Sequence, residues 1–297
     1  MKKEAPTSVV ANLAFLHRME SRLRLAGVLS PRAEAQQMIS HYGRLERLPF
    51  FTGQKLLSKS AKAAINRVLK KRRLGMPLAY LTGEAFFWGH AFHVKPGVLI
   101  PRPETERLVE ESLKVLDEHF KGKRPEVLDL GTGSGCIAVS LTLERAHCRM
   151  TALDTSQAAL KIARNNIRRH GLSQKIRLVH SRFFESFGTK SALWDMIISN
   201  PPYVPSKNIP ALSREVRNEP ALALDGGRSG LDALEVILTQ APRILKPGGY
   251  LLMEIGERQS GKLAKKLKQQ AEYEEFRFEK DLNGIKRILV ARKGSRD

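Results

Sequence analysis

A short apolar run, Val127-Leu128-Asp129-Leu130, passes directly into Gly131-Thr132-Gly133-Ser134-Gly135 and then into a helical stretch from Cys136. A strand that feeds a glycine loop and a helix does not close a tight hairpin. Its natural partner is a parallel strand reached by a helical crossover. The chain beyond residue 126 keeps that rhythm. A second strand over 150–153 ends in Asp154, and Ser156 caps a helix through Ala159, Leu160, Ala163 and Ile167 that Gly171 closes. Residues 176–179 read as a third strand and Met196-Ile197-Ile198 as the core of a fourth. A helix over 231–245 stops at Lys246-Pro247-Gly248-Gly249, and residues 250–255 make a fifth strand. A basic helix over 259–270 precedes two strands near 273–280 and 287–292. Asn283-Gly284 between them signals a tight turn, hence an antiparallel end to the sheet. The expected fold is α/β, a mostly parallel sheet with helices on both faces.

Residues 1–85 have a different character. Val9, Leu13, Leu16 and Met19 follow helical spacing; Ser30-Pro31 is a helix start, with Ala33, Ala35, Met38 and Ile39 as its core face. A third helix runs from Ser58 through Ala63, Ile65, Val68 and Leu69. It ends in Lys70-Lys71-Arg72-Arg73, which reads either as a phosphate-facing patch or as a solvated helix end. Residues 86–100 alternate around Pro96-Gly97 and read as a β-hairpin linker. A small helical domain (1–85), a hairpin (86–100) and a larger domain (101–297) are therefore expected. Thr105 reads as the cap of a helix over 106–119.

Lys and Arg number 51 against 30 Asp and Glu, a net charge of +21, which suits a polyanionic partner such as RNA or a nucleoprotein. With only two cysteines, Cys136 and Cys148, at no metal-ligand spacing, the sequence indicates a reducing compartment and no metal site. No apolar run reaches the roughly 18 residues of a membrane span, so a cytoplasmic protein with no membrane partner is expected.

Two stretches carry chemistry. The loop from Gly131 to Gly135 sits where an open α/β sheet binds nucleotides, and Asp154, nineteen residues beyond Gly135, is placed for ribose hydroxyls. The G-x-G-x-G spacing, with Cys136 where a dinucleotide fingerprint wants glycine, suits S-adenosylmethionine better than NAD. The second stretch, Ser199-Asn200-Pro201-Pro202-Tyr203, ends the fourth strand, since two prolines cannot continue a ladder. As an isolated motif it is also an ordinary turn. Across the crevice from the glycine loop it offers a carboxamide (Asn200), carbonyls without competing donors (Pro201, Pro202) and an aromatic face (Tyr203). Those groups suit a planar nitrogen, held by its N–H groups and methylated by in-line transfer without a strong base or a metal.

The sequence resembles the release-factor glutamine methyltransferase family. The resemblance is carried by Arg73-Leu74-Gly75-Met76-Pro77-Leu78-Ala79-Tyr80, Ile100-Pro101-Arg102-Pro103-Glu104-Thr105-Glu106, the strand and loop from Val127 to Gly135, and Ser199 to Tyr203. Further pieces are Glu219-Pro220, Leu224-Asp225-Gly226-Gly227, Gly230-Leu231-Asp232, Gly248-Gly249, Glu254-Ile255-Gly256 and Asp281-Leu282-Asn283-Gly284. It implies a class I S-adenosylmethionine-dependent methyltransferase, Rossmann-like, with a small N-terminal helical domain. The implied reaction moves methyl from S-adenosyl-L-methionine to the side-chain amide nitrogen (N5) of Gln in the Gly-Gly-Gln loop of class 1 peptide chain release factors, leaving S-adenosyl-L-homocysteine. By this resemblance Gly131, Thr132, Gly133, Ser134, Gly135, Asp154, Phe183 and Asn200 contact the cofactor. Asn200, Pro201, Pro202 and Tyr203 hold the substrate glutamine, with Asn200, Pro201 and Tyr203 catalytic. One departure stands out: the family usually carries an Asp that meets the adenine after the third strand, and this chain has Ser181-Arg182-Phe183-Phe184.

Three other readings compete. A ribosomal-protein glutamine methyltransferase shares Asn-Pro-Pro-Tyr but typically breaks the Pro-Arg-Pro-Glu-Thr-Glu run. An adenine-N6 nucleic-acid methyltransferase would need a base-reading domain, for which only the basic N-terminal region is available. A non-catalytic RNA-associated scaffold has Arg182 as its sole support.

Overall fold

The computed structural model describes residues 7–44, 50–52, 54–188 and 192–295. The chain divides into two compact units, one of residues 1–83 with 213–218, the other of 84–212 with 219–297.

The first unit is helical: α1 (Thr7–Leu25), α2 (Pro31–Gly43), α3 (Lys59–Arg73) and the single turn α4 (Leu78–Thr82). The α1 core face is rotated from the expected one. Phe15, Leu16, Met19 and Leu23 are buried, together with Asn12, whose amide donates to the carbonyls of Phe50 and Lys55 at 2.9 Å each. Ala35, Met38 and Ile39 of α2 meet Ile65, Val68 and Leu69 of α3 in one core, while Ala33 and Ala63 stay exposed. Ser58 caps α3 by accepting from Ala61 N at 3.0 Å. The segment 213–218 joins this unit through side chains. Arg72 is only 2% exposed and pairs with Glu34 at 2.6 Å and with Glu215, and Asn218 donates to Gly75 O at 3.2 Å. Arg72 is therefore not part of a phosphate-facing patch; the helix phase turns it inward while Lys70, Lys71 and Arg73 remain exposed.

The second unit opens with a hairpin, β1 (Glu84–Phe87) and β2 (His90–His93). It closes earlier than expected. Trp88 and Gly89 both take positive φ, the two-residue geometry whose twist matches paired strands, so Pro96-Gly97 lies beyond the hairpin. Then follow α5 (Pro103–His119), β3 (Glu126–Leu130), α6 (Cys136–Glu144), β4 (Arg149–Asp154), α7 (Gln157–Arg169), β5 (Ile176–His180), β6 (Trp194–Ser199), α8 (Asp232–Ile244), β7 (Leu245–Glu254), α9 (Ser260–Leu267), β8 (Tyr273–Lys280) and β9 (Lys286–Lys293). The sheet order is β5-β4-β3-β6-β7-β9-β8, parallel from β5 to β7, with β9 antiparallel to both neighbours.

The period of two along each strand sorts side chains to two cores. Val127, Met150, Met196 and Ile198 face a layer containing Leu108, Ile137, Ala138 and Ile167. Leu128, Ile197, Leu251 and Leu289 face Leu234, Ile237, Leu238 and Leu263. Strands covered on both faces take apolar residues on both, which explains the runs Met196-Ile197-Ile198 in β6 and Leu251-Leu252-Met253 in β7. From β3 the chain steps outward to β4 and β5, then crosses back to place β6 on the other side of β3. The reversal leaves a crevice at the carboxyl ends of β3 and β6.

Candidate active site

The expected residues gather at the carboxyl ends of β3, β4, β5 and β6. The glycine loop is stitched to β4: Gly131 N and Thr132 N both donate to Leu153 O at 2.8 Å, and Gly133 N donates to Asp154 Oδ2 at 2.8 Å. Gly131 and Gly133 have φ of +78° and +56°, and a Cβ on either would meet nothing within 4 Å. Side chains are thus absent where open space lies against the backbone, the condition for a ligand to approach closely. Gly135 serves packing instead, since its Cβ would lie 3.3 Å from Ala163 Cβ of α7. The side chains of Thr132 and Ser134 are buried. Thr132 Oγ1 donates to Asp129 Oδ2 at 2.6 Å, and Ser134 O accepts from Asn166 Nδ2 at 2.8 Å. Asn166, fully buried, also exchanges hydrogen bonds with the backbone of His93, tying the hairpin to the loop.

Asp129 and Asp154 sit in contrasting ways. Asp129 is fully buried, and burial pushes its carboxyl up to about 7 against the pull of the Thr132 and Ala138 hydrogen bonds; its Oδ1 has no partner among the described residues. Asp154 ends β4 with Oδ1 accepting from Ser156 N at 2.8 Å and Oδ2 from Gly133 N, and burial raises its carboxyl too. Phe183 follows β5 half-buried with φ +46°, packed against the second core layer, while Arg182 is exposed.

Asn200 and Tyr203 are organised by two residues whose part the sequence did not reveal. Ser199 Oγ donates to Leu130 O at 2.7 Å and locks the end of β6 to the end of β3. Immediately beyond, Asn200 Nδ2 donates to Thr105 Oγ1 at 2.9 Å, Thr105 Oγ1 donates to Glu254 Oε2 at 2.6 Å, and Tyr203 Oη donates to Glu254 Oε1 at 2.9 Å. Thr105 is not the helix cap. Pro103, with its fixed φ and no N–H, begins α5 after Arg102, and Thr105 lies inside the first turn with its hydroxyl committed to Glu254. Glu254 is buried at the end of β7. Burial raises its carboxyl, and the Thr105 and Tyr203 hydrogen bonds and the Arg287 charge oppose that rise. Burial and the adjacent Glu254 charge push the Tyr203 phenol up.

Other quoted pieces of sequence are held in place by bonds of their own. Glu219 accepts from Ile100 N at 2.9 Å and from Arg102 at 2.6 Å, and Glu106 accepts from Trp88 N at 2.8 Å. Val204 N donates to Leu224 O and Gly226 N returns to Val204 O, both at 2.9 Å. Gln259 Nε2 donates to both Tyr203 O and Gly230 O at 2.9 Å. A cavity of about 320 Å³ opens beside Tyr203, lined by Val204, Pro205, Gly256, Arg258 and Lys262 among others. Pro201 is buried, and Pro202 and Tyr203 are half-buried.

This geometry fits an acceptor of planar N–H groups beside an open glycine cradle. Among known proteins, a family described as Methyltransferase small domain matches residues 105–224, and one described as PrmC N-terminal domain matches 14–83. The chain is similar to a release factor glutamine methyltransferase of Nitratidesulfovibrio vulgaris, 38% identical over 97% of both chains. It is also similar to one of Coxiella burnetii, 36% identical over 89% of this chain and 93% of that one. In fold it resembles the N-terminal domain of human METTL16 in complex with SAH, with a TM-score of 0.50 and 17% identity over 78% of this chain and 84% of that one.

Proposed function

Because this chain belongs to the release factor glutamine methyltransferase family, we propose that it methylates the side-chain amide nitrogen of the Gly-Gly-Gln glutamine in class 1 release factors, in the cytoplasm. The cofactor of this reading is S-adenosylmethionine. The glycine loop supports this reading: Gly131 and Gly133 leave space where side chains would stand, and Asp154 brings a carboxylate to its edge. Gly131 to Gly135 would hold the cofactor's amino-acid end, Asp154 its ribose and Phe183 its adenine. When bound, the cofactor supplies a methyl group already activated on a sulfonium.

The chain's own residues then orient the acceptor. A carboxamide nitrogen is flat and weakly nucleophilic because its lone pair is delocalised. Asn200 Oδ1 and the Pro201 carbonyl accept its two N–H groups, which aims the nitrogen and offsets the positive charge that grows on it during transfer; one of those protons then passes to solvent, leaving a neutral N-methyl amide. Tyr203, half-buried and anchored to Glu254, covers the plane and keeps water out. The observation that carries this reading is the direction of the Asn200 carboxamide: Nδ2 donates to Thr105, which leaves Oδ1 with no donor among the described residues and able to accept from a substrate amide.

The helical unit is proposed to engage the protein substrate, with its exposed Lys70, Lys71 and Arg73 suited to ribosome or RNA contact. The test is incubation of the protein with S-adenosylmethionine and purified release factor, followed by peptide mass mapping. One added methyl on the glutamine is expected. Methyl appearing only on ribosomal protein or on DNA in parallel reactions would overturn the assignment.

A further inference from the structure

We propose that Thr105 and Glu254 are positioning residues that fix which end of the Asn200 carboxamide faces the substrate, and so make the site select an amide over a carboxylate. The inference rests on the proposed glutamine substrate and goes beyond it to the origin of its selectivity.

Thr105 has one hydroxyl proton, and Glu254 Oε2 lies 2.6 Å from its oxygen. Tyr203 brings its own proton to the other oxygen, Oε1. A carboxylate can only accept, so both hydroxyls point toward Glu254. Thr105 Oγ1 then has lone pairs alone to offer Asn200. Only the Nδ2 end satisfies it, at 2.9 Å, and Oδ1 faces outward with no described residue donating to it. The reversed carboxamide would set oxygen against oxygen at a buried hydroxyl, a loss comparable to that of a buried hydrogen bond.

The consequence is chemical. With Nδ2 turned to Thr105, the end of the Asn200 carboxamide left to the substrate is Oδ1, an acceptor. A glutamine amide brings two N–H groups to it, whereas a glutamate carboxylate brings only lone pairs. Asn200 alone does not provide this selection, because a free asparagine presents either end. The three elements that close the ring are far apart in sequence. Thr105 is in the first turn of α5, Asn200 follows β6 and Glu254 ends β7. Their convergence is a product of the fold.

The experiment compares the full-length protein with its Thr105→Ser, Thr105→Val and Glu254→Gln variants. Each is assayed for kcat and KM on release factor, for affinity toward S-adenosylhomocysteine, and for the ratio of affinities for release factor carrying Gly-Gly-Gln or Gly-Gly-Glu. Thr105→Ser keeps the hydroxyl and is expected to stay within about threefold of the parent. Thr105→Val, of equal size, is expected to lose at least about tenfold in kcat and to let the Gln-to-Glu preference fall toward one. Affinity for S-adenosylhomocysteine should stay within about twofold. Glu254→Gln can both donate and accept, so it is expected to lower the preference while the protein still folds. If Thr105→Val and Glu254→Gln keep the parent's preference, the positioning role is wrong. If Ser and Val at position 105 lose activity equally, the hydroxyl is not the cause and the proposal also fails. An inactive parent protein, by contrast, would count against the proposed function itself.

Discussion

Gly133 donates its backbone N–H to the Asp154 carboxylate at 2.8 Å, so the side chain that ends β4 also shapes the loop that ends β3. With Ser156 N on the other oxygen and the Thr155 backbone also donating to the group, the carboxylate has a fixed orientation. A ribose diol donating there would meet a charged, pre-aimed acceptor. Asp154→Ala should weaken binding of S-adenosylhomocysteine by roughly 10- to 100-fold, the worth of one or two hydrogen bonds to a charged group. Calorimetric titration measures this directly. An unchanged affinity would remove Asp154 from the cofactor site.

Asn200→Ala should separate the two halves of the site. It deletes the acceptor proposed to meet the reacting amide, and kcat is expected to fall by at least about 100-fold, as for loss of one preorganised polar group. Cofactor affinity should be largely kept, because the glycine loop and Asp154 are intact. Turnover at the parent rate would refute the assigned role of the carboxamide.

The parallel sheet, the glycine loop and the strand end at Asn200 were legible because each is a local pattern: an apolar run, a glycine spacing, two prolines. Resemblance to a family supplied the substrate, which no local pattern carries. The partners of Asn200 were not legible. Thr105 looks like a helix cap because a threonine before a helical run usually is one, and Pro103 shifts the helix start by three residues. Glu254 sits at the end of an apolar strand, and its bond to Thr105 spans 149 residues. Nothing in a sequence window reports such a contact. The segment 213–218 escaped for the same reason: its attachment to the helical unit depends on Arg72 and Gly75, well over a hundred positions away.

Gly226 has backbone where a side chain would stand. A Cβ there would lie 2.8 Å from Pro202 O, 2.8 Å from Tyr203 Cα and 2.9 Å from Gly230 C, none of which can swing away like a side chain. Gly226→Ala must displace the Pro202-Tyr203 backbone or strain the turn. A loss of about 2 kcal/mol is expected, a fall in Tm of roughly 4–8 °C for a unit of this size, with a raised KM for release factor. Thermal unfolding and steady-state kinetics check both parts. A variant with the parent's Tm and KM would show that the turn has slack.

Asp129 makes stability depend on pH. Its carboxyl is pushed up to about 7 in the folded protein, against about 3.9 in an unfolded chain. Between those values the folded state binds more protons, so this residue's contribution falls as pH rises through the window and levels off above it. Asp129→Asn removes the titration while keeping an acceptor for Thr132. Relative to the parent, the variant should gain stability from about pH 4 to about pH 7, with a ceiling of roughly 4 kcal/mol for a shift of this size. Urea unfolding of both proteins at several pH values gives the difference. A flat difference would mean that Asp129 is ionised throughout.

Arg72 and its neighbours offer the last test, within the helical unit. Lys70, Lys71 and Arg73 project from α3, whereas Arg72 is buried between Glu34 and Glu215. Removing a buried ion-pair partner leaves charge without compensation, although the partial exposure of both glutamates lets water offset some of the loss. Arg72→Met should destabilise the unit by about 2–3 kcal/mol and release the 213–218 segment, seen as faster amide exchange there. The triple substitution of Lys70, Lys71 and Arg73 to Gln should leave unfolding within about 0.5 kcal/mol of the parent, as surface changes usually do. It should instead flatten the salt dependence of any binding to release factor or RNA, because those cations lie where a polyanion can reach them. If the triple variant destabilises the fold as much as Arg72→Met, the division of this cluster into one structural and three surface cations is wrong.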